Sequence, residues 1–292
     1  MKIGFLILAH RYPNQLKQLI RSLLLVNDSR IYLHVDKKSN ELFDEISAEF
    51  SFNNRVRFIG NRYRVYWGSF NQIRATFALM KSAFESRTED YFMLLSGQDF
   101  LIKSPSALIS FISENKEKQF VMNFKLPDSQ WRDGGLNRLS HFSFDIPGRP
   151  WFSNKLNSAI ERLHIYSGFK RKVSFEQYGG SNWFNINFDA LEYMVTYIKD
   201  HPEYLNSFKN TRCADEMFVQ SMLLNSRFRD SVVSADLRYI DWSSGPEFPR
   251  IIREEDFEKI VTYSEKFFAR KFDSTIDGSV LNKLITYIGQ NS

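Results

Sequence analysis

The stretch KIGFLILAHRYPNQLKQLIRSLLLV, residues 2–26, decides the fold. GFLILA at 4–9 is a short apolar run bounded by Lys2 and by His10-Arg11, with Pro13 close behind, the pattern of a buried strand. The run is only six residues long, too short for a signal-peptide core or a membrane span, and no other targeting segment is visible. NQLKQLIRSLLLV then spaces its leucines as an amphipathic helix beginning near Asn14. A buried strand, a polar corner and a covering helix make the first unit of an α/β sheet.

The same alternation continues outward. RIYLHVD (30–36) reads as a second strand, ELFDEISAEF (41–50) as a helix and RVRFIG (55–60) as a third strand. SFNQIRATFALMKSAFES (69–86) reads as a long helix, YFMLLSGQD (91–99) as a fourth strand, and PSALISFISEN (105–115) as a helix opened by Ser104-Pro105. Strands alternating with helices predict βαβ units around a mostly parallel sheet, in which ligands bind outside the carboxyl ends of the strands. Ala9-His10-Arg11, Asp36-Lys37-Lys38 and Ser96-Gly97-Gln98-Asp99 are the polar groups expected there.

The second half is less regular. Residues 126–180 carry Pro127, Gly134, Gly135, Pro147, Gly148 and Pro150, which predicts mostly loop punctuated by aromatics. A turn and strand follow in YGGSNWFNINFD (178–189), then helices through LEYMVTYIKD (191–200) and ADEMFVQSMLLNS (214–226). A strand is expected near VSADLRYID (233–241), a helix near EEDFEKI (254–260), and a tail that is half loop, half helix. No linker separates the halves. One body over 1–292 is expected, with about 1–125 binding one ligand and about 126–292 closing over it.

Composition narrows the function classes. The chain has 292 residues, 43% hydrophobic and 16% aromatic, enough for a substantial core. Cys213 is the single cysteine, which excludes an intrachain disulfide and a cysteine-based zinc cluster and favours a reducing compartment. A formal charge of +5 permits an anionic partner, yet there is no long basic run of the kind nucleic-acid binders carry. There is no Asp-x-Asp, GxGxxG or GxxxxGK[ST], and the five histidines show no metal spacing.

A metal-free phosphate site needs fixed cations. Arg270-Lys271 in FFARKFD supplies two amid Phe267, Phe268 and Phe272, and Arg250 after Pro249 could supply a third. Taken alone, such a pair is more often surface charge. Asp36 ends an apolar strand, where a carboxylate can receive a ribose or can cap a turn. Asp99 has the same two readings. Trp67, Trp131, Trp151, Trp183 and Trp242 could stack on sugar rings, though a lone tryptophan is more often core. Asp215 and Glu216 precede the apolar run MFVQSMLL and read first as a helix start favoured by the macrodipole, with part of a metal site or an enzyme's base as the alternatives.

HVDKKS (34–39), VYWGSFNQIRATFALM (65–80), YFMLLSGQDFLI (91–102), GGSNWFNI (179–186), ADEMFVQSMLLNS (214–226), LRYIDW (237–242) and FFARKFD (267–273) occur in this order. Together they resemble the core-2/I-branching β-1,6-N-acetylglucosaminyltransferases and the related peptide O-xylosyltransferases, from about residue 3 to about 277. The resemblance implies a GT-A fold, a Rossmann-like nucleotide half joined to an acceptor half. It also implies inverting transfer from a UDP-sugar, GlcNAc or xylose, without a metal or other cofactor. Glu216 matches the catalytic base of the branching enzymes, and Lys271 their diphosphate-binding lysine, with Arg270 completing the Arg-Lys pair of the xylosyltransferases. Arg250 matches a second diphosphate cation. Asp36, with Ala9 and His10 in the loop after the first strand, would hold uridine. Asp99, Trp131, Arg132, Trp183, Asp215 and Trp242 would orient donor or acceptor.

One departure stands out: the xylosyltransferases read Ser-Asp-Trp where this chain reads Ser181-Asn182-Trp183, which leaves Glu216 as the better base. The expected acceptor is a glycan or lipid-linked oligosaccharide in surface polysaccharide synthesis, reached from the cytoplasm or the inner face of a membrane through peripheral contact. Nucleic acid is not an expected partner. The alternatives are a glycoside hydrolase, which needs a second carboxylate across the scissile bond, and a non-catalytic polyanion binder.

Overall fold

A computed structural model describes residues 1–144, 150–245, 248–262 and 266–290. The opening stretch forms β1 (Ile3–Ala9) and α1 (Pro13–Leu24), as its pattern predicts. β2 (Arg30–Val35), α2 (Asn40–Phe50), β3 (Val56–Phe58), α3 (Phe70–Ser86), β4 (Tyr91–Ser96), β5 (Phe100–Leu101) and α4 (Pro105–Glu114) follow. Next come β6 (Gln119–Lys125), α5 (Asn137–Ser140), α6 (Pro150–Ser167), β7 (Tyr178–Asn187), α7 (Phe188–Asp200) and α8 (Pro202–Asn206). α9 (Asp215–Leu224), β8 (Val232–Val233), β9 (Arg238–Ile240), α10 (Phe257–Thr262), β10 (Phe268–Arg270) and α11 (Ser279–Gln290) complete the order.

Seven strands form the main sheet in the order β3-β2-β1-β4-β7-β6-β8. β1 is parallel to both β2 and β4, and β2 to β3. β7 runs against its neighbours β4 and β6, while β8 is parallel to β6. This is the mostly parallel, Rossmann-like α/β arrangement that the resemblance implies. β1 shows why it forms: every residue is buried, with Ile3, Phe5, Ile7 and Ala9 in one core and Leu6 and Leu8 in the other. A central parallel strand covered on both faces needs such a continuous apolar run. α1, α2, α4 and α11 cover the first face, and α3, α7 and α9 the second. α9 is buried at every position from Met217 to Leu224, so it is apolar nearly all round rather than striped.

A second sheet, β5-β10-β9, stands just beyond the end of β4. β10 pairs with β9 in parallel and β5 antiparallel, and α11 returns to pack on α1. The last 60 or so residues therefore come back to the nucleotide-type half.

Three elements differ from the expectation. β6 forms where no strand is expected, because the bulge after Val121 leaves Met122 exposed and breaks the alternation. β10 forms within a tail read as loop, since a three-residue strand has too few positions to show a period. The region 126–180, expected to be mostly loop, contains the 18-residue α6, whose apolar residues face outward and so defeat a core-facing pattern.

Candidate active site

The ends of β1, β2 and β4 are sewn together by backbone. The Ala9 carbonyl accepts from the Asp36 N–H (2.8 Å), and the Leu8 carbonyl from Gly97 N–H (2.9 Å). Asp36 is buried and holds two loops, its Oδ1 accepting from Lys38 N–H (2.8 Å) and its Oδ2 from Val65 N–H (3.2 Å). That is the turn-capping reading of Asp36; its carboxylate shapes this corner from within. His10 is exposed beside it, and crowding together with Arg11, Lys38 and Lys271 pushes its imidazole down from the ordinary value despite Asp36.

Arg11 donates to Gln98 Oε1 (2.9 Å), and Gln98 in turn donates through Nε2 to the Phe272 carbonyl (3.0 Å). Gln15 of α1 donates to the carbonyls of Gly97 (2.8 Å) and Phe272 (3.3 Å). The turn after β4 and the segment after β10 are thus one hydrogen-bonded unit. It sets Lys271 near Arg11. Burial, then Arg11 and Arg270, push the Lys271 ammonium down from its usual value. Neither Arg11 nor Lys271 has a carboxylate within salt-bridge reach among the described residues.

Arg270 has one. Asp99 is fully buried between Arg270 (3.4 Å) and Arg238 (3.4 Å), and its Oδ2 accepts the Ser96 N–H (2.7 Å). Asp99 therefore acts on the site through its arginines and does not itself face a ligand. Both guanidiniums lie over the Trp183 ring, at 4.6 Å and 4.3 Å, so that ring carries cations where a sugar platform was expected. Arg238 Nε and Nη1 and Arg270 Nη1 are buried without hydrogen-bond partners among the described residues. Arg250 is differently placed: it is tied to Asp241 (3.0 Å), to Asp256, and to Glu255 (3.8 Å). With its charge answered by carboxylates, it anchors the loop before α10 on the wall of an open hollow of about 560 Å³ shared with Phe248, Pro249 and Ile276.

Glu216 lies in the first turn of α9, half-buried, with Arg138 of α5 ion-paired to its Oε2. Arg138 also donates to the Cys213 carbonyl (3.1 Å) and lies flat on Trp131 at 3.5 Å. Trp131 therefore supports the cation that is paired with Glu216. Asp215 is half-buried, and its occluded Oδ1 has no partner; burial and the adjacent Glu216 charge push its carboxyl up to about 7. The loop before α9 is fixed by Cys213 N–H donating to the Gly68 carbonyl (2.8 Å). Gly68 has φ 69°, and a side chain there would meet Cys213 Sγ at 2.8 Å, so glycine is required.

Two contact chains join Glu216 to the cations. Lys271 lies near the Phe248 ring (5.9 Å), Phe248 packs on Trp67 (6.5 Å), and Trp67 adjoins Gly68, which touches Cys213. On the other side Arg270 sits on Trp183, while Gln220, one helical turn beyond Glu216, donates to the Ser181 carbonyl. Ser181-Asn182-Trp183 is the bulged part of β7, because Val121 pairs with Phe184 and Asn123 with Gly180. Of the remaining expected residues, Arg132 points into solvent with only Asp133 nearby (3.5 Å), and Trp242 is exposed. Among the described residues, no group of three or more His, Cys, Asp or Glu side chains could hold a metal ion.

The model of the Core-2/I-branching enzyme family matches residues 3–261. The chain belongs to that family, a family of glycosyltransferases. Among curated relatives, xylosyltransferase 2 of Rattus norvegicus is 27% identical over 97% of this chain and 33% of its own length. Human xylosyltransferase 1 is 24% identical over all of this chain and 31% of its own length. The chain thus spans about a third of the relatives it matches. HddC from Yersinia pseudotuberculosis, a solved structure, is 12% identical over 65% of this chain and 78% of its own, with a TM-score of 0.32, too remote to bear on the chemistry.

The sequence places Arg11 at a ligand-binding strand end without assigning it a role, and it does not single out Arg138 or Arg238. Arg238 lies within LRYIDW, so it had a signal. Arg138 had none, because only the fold brings α5 to the start of α9.

Proposed function

We propose that this chain is an inverting glycosyltransferase that moves a sugar from a UDP-sugar, xylose or GlcNAc, to a hydroxyl of a glycan acceptor without a metal ion. The observation that carries the reading is the gathering of Arg11, Arg270 and Lys271 at the carboxyl ends of the strands, with Arg11 and Lys271 unanswered by carboxylates among the described residues. Charge-assisted hydrogen bonds from such cations can hold a diphosphate and stabilise the charge that builds on it as it leaves. Arg250, neutralised by three carboxylates, contributes less here than Arg11.

Glu216 is the general base. Arg138 engages Oε2 and leaves Oε1 for the acceptor proton. The acceptor oxygen attacks the anomeric carbon as its proton passes to Glu216, the bond to the diphosphate oxygen breaks on the opposite face, and an α-linked donor gives a β-linked product. Asp215 holds its own proton up to about pH 7, which limits the negative charge beside the base.

The experiment is thermal unfolding with UDP in EDTA and then with manganese, on wild type and Lys271→Ala. A ligand at one hundred times its Kd raises stability by about 2.7 kcal/mol when it binds only the folded state. A rise in EDTA that Lys271→Ala abolishes is expected, and no rise under either condition overturns the reading.

A further inference from the structure

Helix α6 turns much of its apolar surface outward. Its inner face carries polar anchors beside the partly buried Leu156 and Ile160: Ser153 and His164 are buried, Asn157 exchanges hydrogen bonds with the Phe144 backbone (2.8 and 3.1 Å), and His164 bridges Phe142 N–H (3.1 Å) and the Phe169 carbonyl (2.9 Å). Its outer face presents large apolar side chains among exposed basic ones. Trp151, Phe152, Leu163, Ile165 and Tyr166 stand in solvent, with Phe169 just beyond, and Tyr166 is 92% exposed. An outward apolar patch of this kind marks an interaction surface.

The charge around it selects the partner. Residues 150–172 hold five cations, Lys155, Arg162, Lys170, Arg171 and Lys172, against the single carboxylate Glu161. Arg171 is committed to the Ser207 and Lys209 carbonyls, and the other four are exposed. Lys155 and Arg162 emerge on the same side as Trp151 and Tyr166, Lys155 lying 4.0 Å over the Trp151 ring. Long basic side chains can lay their stems along an apolar surface while their heads reach phosphates, and tryptophan and tyrosine favour the headgroup level. A second copy of this chain would place like charge against like across a two-fold axis.

We propose that α6 and the segment after it lie on the surface of an anionic phospholipid bilayer, with the aromatic and aliphatic side chains at the headgroup boundary and the four exposed cations on lipid phosphates. The helix is continuous with the site, since His141 and Phe142, directly after α5, pack on His164. In combination with the transferase reading, on which this step alone rests, the docked chain offers Glu216 to acceptors carried on the bilayer.

The test is co-sedimentation of the full chain with vesicles of phosphatidylcholine, and of the same lipid with about a third phosphatidylglycerol. Wild type is expected on the anionic vesicles roughly tenfold more tightly than on the neutral ones, with binding weakened by salt. Trp151→Ser/Tyr166→Ser should lose binding to both by about tenfold or more, and Lys155→Glu/Arg162→Glu only the anionic preference. All four side chains are exposed, so the thermal transition and its response to UDP serve as folding controls. That response also separates the two proposals, because failure to sediment leaves UDP binding untouched. No sedimentation of wild type, equal sedimentation of the aromatic variant, or a dimer in light scattering that the same substitutions dissolve would each overturn the assignment.

Discussion

Replacing Asp99 with asparagine removes one negative charge while keeping shape and the acceptor for the Ser96 N–H. In the wild type, Arg238 and Arg270 face Asp99 at 3.4 Å each, with Asp236 acting at longer range, so two cations answer two anions. Asp99 and Arg238 are fully buried and Arg270 nearly so. Breaking a buried pair from one side costs about 3–5 kcal/mol, because the partner charge is left without its counterion. Two partners lose theirs here, and Asp236 retains part, so the middle of that range, about 4 kcal/mol, is expected. For a chain of this size that is a fall of roughly 10 °C in Tm. Urea unfolding followed by tryptophan fluorescence measures it. Asp99→Asn/Arg238→Met leaves one cation against Asp236 and should recover part of the loss, a non-additivity that a simple packing defect would not show. Pyrophosphate should also raise the Tm of Asp99→Asn more than that of wild type. A loss under about 1 kcal/mol, with no recovery in the double variant, would refute the claim that Asp99 holds this cluster together.

Glu216→Gln should lower kcat by about 10²- to 10⁴-fold with little change in donor KM, as loss of a general base does, and Arg138→Lys by roughly tenfold, since a point charge cannot both stack on Trp131 and grip Glu216; steady-state kinetics check both. Asp215 carries a folded-state pKa raised to about 7 from 3.8, so between those values the native state binds the extra proton and stability falls as pH rises, by up to about 1.4 kcal/mol per unit. Asp215→Asn should flatten that slope in denaturation curves taken from pH 4 to 7, while a slope of unchanged steepness would assign it to other groups. A side chain at Gly180 would meet the Met122 carbonyl oxygen at 1.8 Å, so Gly180→Ala should cost about 3 kcal/mol or more and lower activity by moving the bulge, both read from unfolding and kinetics on one preparation.

The parts of the fold legible in the sequence are those set by local period and length. β1, β2 and β4 announce themselves as apolar runs because they are buried on both faces, and α1 shows a stripe because one side is wet. The strand-end corners follow from that topology, which is why His10, Asp36 and Asp99 were found as polar groups at the right ends. Their roles were less legible. Whether Asp36 meets a ligand or a loop depends on Val65, 29 residues away, and whether Asp99 caps a turn or balances arginines depends on Arg238 and Arg270, more than a hundred residues on. Arg250 reads as a free cation until Asp241 and Asp256 fold around it. α6 escaped because an outward apolar helix has no core-facing pattern to detect.

β7 explains how a site split between two ends of the chain can act as one. It is the strand that runs against its neighbours, and its bulge turns Ser181-Asn182-Trp183 out of the ladder. Trp183 then carries Arg270 and Arg238, while the Ser181 carbonyl takes Gln220 from the helix that begins at Glu216. A shift of this bulge moves the cations and the base together. That coupling bears on the proposed displacement, in which charge would depart toward Arg270 and Lys271 as a proton arrives at Glu216, because both would have to be in place in the same transition state. Because α9 is buried from Met217 to Leu224, Glu216 at its first turn is carried by a packed helix, and β7 is the strand that links that helix to the arginines.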